Sequence, residues 1–233
     1  MGHTLAYSTP ELDSGQIGRP SVPSLVSYYP RSMKTLKSMV GGVLLGAGWG
    51  AVSSLTNDVS SPYGMIGSQM VDTGWAWAAE VASLIANAGW AWAGIAVAAG
   101  WLVGARARGA VAGVVALIAM TTAYYGMDSV LLREPFALYW YEMRVWWLAS
   151  LVFGPILGAV GGRIGSPGVI GLIAGLTVPV GAAVEMIWLP RWDTPGGDAA
   201  LDWMRLIVLA AAAVSACIVV GRFLVAARHR QPA

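Results

Sequence analysis

The chain has 233 residues, 57% of them hydrophobic and only 11% charged, with a mean hydropathy of +0.63. A soluble domain carries roughly 25% charged residues, so this composition excludes a protein dissolved in water. The formal net charge of +2 is too small to argue for nucleic acid, and the single cysteine, Cys217, excludes an internal disulfide or a cysteine metal site.

Thirty glycines and twelve tryptophans suit a membrane, where glycine is frequent in helices and tryptophan gathers at the interfaces. The length fits one compact bundle without a second domain. Residues 1–32 are polar, carry Pro10, Pro20, Pro23 and Pro30, and lack an apolar period, which reads as a disordered cytoplasmic tail. Met33 to Lys37 looks like a fresh start of a membrane protein, so Met33 is an alternative initiator.

Six apolar runs follow within 33–226, and the expected fold is an all-α polytopic bundle with a cytoplasmic tail at 227–233. The first run, 39–55, is barely long enough for a span of ~20 residues. Lys34 and Lys37 ahead of it leave a cleaved signal peptide as the competing reading. A polar connection, Thr56 to about Leu84, then carries Asp58, Asp72 and Glu80, and Trp75, Trp77, Val81 and Leu84 suggest a short interfacial or re-entrant helix inside it. The further spans are expected at 85–104, 109–127, 145–162, 169–189 and 204–226, the fourth with an optional earlier start at Pro135. Pro155 and Pro179 fall inside the fourth and fifth, where a missing backbone donor kinks or loosens a helix.

Charge sets the orientation. With the N-terminus in the cytoplasm, Arg19, Arg31, Lys34, Lys37, Arg106, Arg108, Arg163, Arg222, Arg228 and Arg230 fall inside, against Arg133, Arg144, Arg191 and Arg205 outside. That obeys the positive-inside rule, and both termini are expected in the cytoplasm. The acids agree: apart from Glu11 and Asp13, they lie at the outer side, Asp193, Asp198 and Asp202 among them. Internal repeats are faint. Gly42 to Ala47 echoes Gly154 to Ala159, whereas GARARG echoes GGRIG, and the two schemes conflict.

The aromatic residues are as one-sided as the charges. Trp75, Trp77, Trp90, Trp92, Tyr124, Tyr125, Tyr139, Trp140, Tyr141, Trp146, Trp147, Trp188, Trp192 and Trp203 gather at the outer ends, with Trp101 at the inner one. Aromatic belts form at both interfaces, so the asymmetry leaves two readings: an outward pocket with aromatic walls, or a belt combined with loop packing. The stretch Phe136 to Trp147 concentrates three tryptophans, two tyrosines and a phenylalanine around Glu142 and Arg144. On a helix Trp140, Arg144 and Trp147 share a face, so the guanidinium can stack on a ring.

Glu185 is the sharpest single residue, because an acid in a membrane helix costs about 2.5–3.5 kcal/mol on insertion scales and usually faces a cavity or a partner. Its expected counter-charge is Arg144, with Glu142 a rival for that arginine; a tolerated interfacial acid and a structural ion pair are the bland alternatives. Asn87 reads as an N-cap of the second span or an amide offered to a ligand. The expected ligand-binding set is therefore Glu185, Arg144, Glu142, Tyr125, Trp140, Trp188 and Asn87. Gly42, Gly46 and Gly50, with Ala47 and Ala51, form a small-residue stripe suited to close helix packing, within the bundle or against a partner helix. His3 and His229 lie in the tails, and no phosphate loop, zinc-protease or serine-hydrolase motif occurs, so neither catalysis, metal nor cofactor is expected.

With SLIANAGW (83–90), TTAYYG (121–126), FGPILGAVGG (153–162) and VEMIW (184–188), the chain resembles an uncharacterised family of bacterial six-helix integral membrane proteins over roughly 38–225. At the level of fold it is similar to the S components of energy-coupling-factor transporters. Those have six helices, a pocket opening outward under a loop after the first helix, and small residues on that helix that dock a transmembrane coupling subunit. Ala47 to Ala51 matches that docking pattern and Thr56–Leu84 the capping loop, whereas no vitamin-specific motif matches. The resemblance implies a capture subunit of the bacterial cytoplasmic membrane, with a small organic ligand, a coupling subunit and an ATPase as partners. The rival expectation is a non-catalytic accessory or assembly subunit of a larger membrane complex.

Overall fold

The computed structural model describes residues 29–71, 73–188 and 199–228. Most of the expected N-terminal tail, Asp72, Arg191, Trp192, Asp193, Asp198, His3, His229 and Arg230 lie outside the described residues. The elements are α1 (Tyr29–Ser60), α2 (Gly74–Asn87), α3 (Gly89–Val103), α4 (Arg106–Leu131), α5 (Trp140–Gly161), α6 (Val169–Trp188) and α7 (Ala199–Arg228). Short 3-10 turns form at Gly67–Gln69 and Phe136–Tyr139, and there is no strand among the described residues.

Five stretches are long and apolar enough to cross a bilayer: Ser38–Ser60, Arg106–Leu131, Phe136–Gly161, Val169–Trp188 and Ala199–Arg228. Helices α2 and α3 meet that test only together, bent by 56° at Ala88, and make the sixth if they form one broken span. The bend corrects the expectation of a continuous helix over 85–104. The 15 residues of α3 rise about 22 Å, short of a ~30 Å hydrocarbon core, so the last turns of α2 are needed to complete a crossing. The polar connection is correspondingly shorter, because α1 runs on to Ser60 and α2 begins at Gly74. Helices α5 and α6 continue through Pro155 and Pro179.

Apolar side chains point outward. Leu148, Leu151, Val152, Phe153 and Ile156 of α5 are each more than half exposed. Only 11% of the most apolar window of α7 is buried inside the protein. Such a surface is stable when hydrocarbon is the solvent, which makes the chain membrane-embedded.

Glycine decides which helices touch. A methyl group on Gly46 or Gly50 of α1 would overlap the carbonyl oxygens of Ala116 and Met120 on α4, and one on Gly42 would stand 3.2 Å from the Ala99 Cβ of α3. Where α4 faces α5, Gly154 meets Val114, and Gly158 meets Gly109 and Gly113. Helix α4 thus meets two glycine ridges at near backbone contact, the arrangement that drives association where lipid removes the hydrophobic effect. Of the two roles expected for the stripe, Gly42, Gly46 and Gly50 serve packing within the bundle. Gly42, Gly46 and Gly50 are buried within the bundle, and Ala47 and Ala51 are half-buried beside them. The echo between Gly42–Ala47 and Gly154–Ala159 reflects the same packing task against α4.

A separate core of Val81, Met186, Leu201, Met204 and Val208 joins α2, α6 and α7. Helices α5 and α6 scarcely touch although they are consecutive. Arg106, Arg108, Arg163, Arg222 and Arg228 mark one end of the bundle, the arginine end, which holds no Asp or Glu among the described residues. Asp58, Glu80, Asp128, Glu134, Glu142, Glu185 and Asp202 lie at or near the other, the aromatic end.

Candidate functional site

The break at Ala88 leaves helix-terminal groups without intrahelical partners inside the bundle, and the neighbouring helices satisfy them. The Ala86 carbonyl accepts from Trp49 Nε1 and from Ser53 Oγ, both at 3.1 Å. On the other side of the break, Glu185 of α6 accepts from the Gly89 amide at 2.9 Å and the Trp90 amide at 2.7 Å. The carboxylate thus caps α3 in trans, where the helix dipole favours a negative charge. Gly89 permits the approach, since a Cβ there would stand 3.2 Å from Glu185 Oε2.

Asn87 is the last residue of α2, which corrects its expected place as an N-cap. Its Nδ2 donates to the Ser83 carbonyl at 3.0 Å and the Ser53 carbonyl at 3.4 Å. A polar layer continues from it towards the aromatic end. Ser83 Oγ donates to Asn57 Oδ1 and Asn57 Nδ2 to the Tyr124 hydroxyl, both at 3.4 Å, while Ser54 Oγ donates to Asp128 Oδ1 at 2.6 Å. Asp58, which is buried, accepts from the Met65 and Ile66 amides at 2.8 and 3.0 Å and so folds the connection after α1 back onto that helix.

Two cavities flank the first turns of α3 and share Gly89, Ala93 and Leu157. The larger, about 520 Å³, lies between α3, α4 and α5. Glycines bring α4 and α5 to near backbone contact beside Leu157 at its inner end, and Tyr124, Tyr125 and Trp146 form its walls towards the aromatic end. Trp92 stands between Tyr124 and Trp146, with ring centroids 6.0 and 5.9 Å away, and Tyr124 meets Tyr125 edge-on at 5.2 Å. Asn87, Thr121 and Ser150 are its polar points, and no charged side chain lines it. The smaller cavity, about 230 Å³, lies between α3, α5 and α6 and takes in Glu185, Trp90 and Thr177.

The structure therefore divides the expected site residues. Tyr125 and Asn87 line the larger cavity, and Glu185 the smaller. Arg144 is not the counter-charge of Glu185. Its Nε donates to the Trp140 carbonyl at 3.2 Å, its guanidinium lies 5.8 Å from the Trp140 ring centre, and neither Glu185 nor Glu142 pairs with it. The expected stacking on α5 is present, and Trp140, which is exposed, meets the half-buried Trp147 edge-on at 5.6 Å, but none of the three residues lines either cavity. Glu142 lines neither cavity, and Trp188 is 82% exposed.

The residues missing from the expected set are Trp92, Thr121, Tyr124, Trp146, Ser150 and Phe153. Their signal was helical spacing: Leu117, Thr121, Tyr124 and Tyr125 fall on one stripe of α4, and Trp146, Ala149, Ser150, Phe153 and Leu157 on one of α5. Comparison with family models, curated proteins and solved structures finds no match to this chain, so its function has to be argued from the geometry above.

Proposed function

We propose that this chain is a small-molecule-binding protein of the bacterial cytoplasmic membrane, with six crossings, both termini in the cytoplasm and the aromatic cleft opening outward. The observation that carries the reading is the cavity of about 520 Å³ with Trp92, Tyr124, Tyr125 and Trp146 on its walls. Its volume falls in the ~300–1,000 Å³ range of ligand pockets, which are mostly apolar with a few placed polar groups. Ring faces and the absence of lining charge suit a flat organic molecule, neutral or cationic, since a cation over an aromatic face is attracted by the ring quadrupole. A discontinuous helix beside the cavity adds support, because such breaks line binding sites in transporters.

As the capture subunit of an uptake system, the protein has to dock a transmembrane coupling subunit. With Gly42, Gly46 and Gly50 buried, the ridge of α1 open for that contact is Leu44, Gly48, Val52 and Leu55. Native mass spectrometry in nanodiscs tests the binding reading with quinoline, N-methylquinolinium and quinoline carboxylate as probes. Saturable retention of the neutral or cationic probe, lost in Ala93→Trp, is the expected result. No retention of any probe, and no small molecule carried through gentle purification, would sink it.

A further inference from the structure

We propose a second, separate site: a binding pocket for one anionic phospholipid at the arginine end, between α3, α6 and α7. A cavity of about 550 Å³ lies there, with Ser166 and Arg222 towards the arginine end and Gly175 and Val219, a turn deeper, forming its apolar depth. Gly175 lies six residues into α6, so the apolar part reaches about 9 Å below the start of that helix. A polar mouth above an apolar floor matches a headgroup above an acyl chain.

Charge selects the headgroup. No Asp or Glu lies at this end among the described residues to pair with Arg222. The other basic hairpin stands close by, since a methyl group on Gly162, next to Arg163, would meet the backbone of Ala105 and Arg106 at 2.8–3.1 Å. Gly168, at the cavity wall, has a φ of 78°, the left-handed turn that starts α6. Trp101, 55% exposed, stands at the rim as an interfacial anchor. Basic pockets between membrane helices hold anionic headgroups in this way, with the guanidinium donating to phosphodiester oxygens. The apolar depth favours a lipid over free phosphate, which has no group to fill it.

The site predicts selective lipid retention, read by native mass spectrometry of the full chain in detergent with phosphatidylglycerol and phosphatidylcholine of identical acyl chains. One phosphatidylglycerol is expected to bind with about ten-fold preference. Arg222→Gln should remove most of that preference, and Ala226→Trp, at the cavity wall, should weaken both lipids. Arg228→Gln, at another exposed arginine that does not line the cavity, should change binding by less than about two-fold. Circular dichroism and size exclusion confirm that each variant is folded. Equal binding of the two lipids, equal losses in Arg222→Gln and Arg228→Gln, or full binding in Ala226→Trp each overturn the assignment. Displacement of phosphatidylglycerol by millimolar inorganic phosphate overturns it as well, in favour of a simple anion site.

Discussion

Glu185 holds α3 through two backbone amides, and replacing it by alanine tests that role. The Gly89 and Trp90 amides, now bonded at 2.9 and 2.7 Å, would lose their acceptor, the second of them in a half-buried place. Each buried orphan amide costs about 1–3 kcal/mol, and water reaching the more exposed Gly89 lowers the sum to about 2–4 kcal/mol for Glu185→Ala. Glu185→Gln keeps one acceptor oxygen but loses the charge at the helix terminus, for about 1–2 kcal/mol. The loss is local, so it should appear as hydrogen exchange about 30- to 700-fold faster in a peptide spanning residues 86–93, read by mass spectrometry in nanodiscs. Arg144→Gln should leave that peptide unchanged, because its guanidinium contacts Trp140 instead. Unchanged exchange in Glu185→Ala, or an equal acceleration in Arg144→Gln, would refute the trans-cap.

The glycine ridges predict a sharp positional contrast. Gly50→Leu meets the Met120 backbone and should cost more than about 3 kcal/mol or abolish folding, while Gly48→Leu faces outward and should be tolerated, as judged by monodispersity and thermal melting. Ser150→Trp fills the larger cavity from its α5 wall and should lower probe retention at least about ten-fold with helix content unchanged by circular dichroism. Asp58→Ala removes the acceptor of the Met65 and Ile66 amides, so limited proteolysis between residues 61 and 70 should accelerate while the spans stay intact. For topology, in a Cys217→Ala background, an impermeant thiol reagent should label Ala137→Cys from outside cells and not Ala107→Cys; the reverse pattern inverts the orientation.

The apolar runs located the membrane helices because hydrophobic length is a local property. Val169–Trp188 matches its expected bounds within a residue, and α4 and α7 contain theirs. Boundaries drifted where polar residues found distant partners. Ser54 and Asp58 carry α1 past residue 55 because Asp128 and the Met65 and Ile66 amides bond them. The break at Ala88 was legible as a boundary, from the short helix expected through Leu84 and the cap expected at Asn87, but not as a bend within one crossing. No proline marks it, and the group that stabilises it, Glu185, stands 96 residues from Gly89. The acid in an apolar helix did announce a partner, but hydropathy offers only side-chain charges as candidates, so the sequence pointed to Arg144 when the partner was backbone. In the cleft, Tyr125 and Asn87 were found by chemistry, whereas Ser150 and Thr121 needed the helix faces to be assigned first.

The glycine contact between α4 and α5 has a mechanical consequence. The two helices are clasped there by glycine and tied again at the aromatic end by the connection 132–139, where Tyr139 meets Tyr125 at 5.4 Å, so a pivot about the clasp carries the cleft wall and that connection together. Trp146 stands eight residues beyond Gly154, about 12 Å along the helix, so a rotation of about 5° carries its ring by about 1 Å. The arginine end barely moves in such a rotation, and the mouth of the cleft widens or narrows. A rotation of that size is enough to change the gap between Trp146 and Trp92, and it leaves every helix wound.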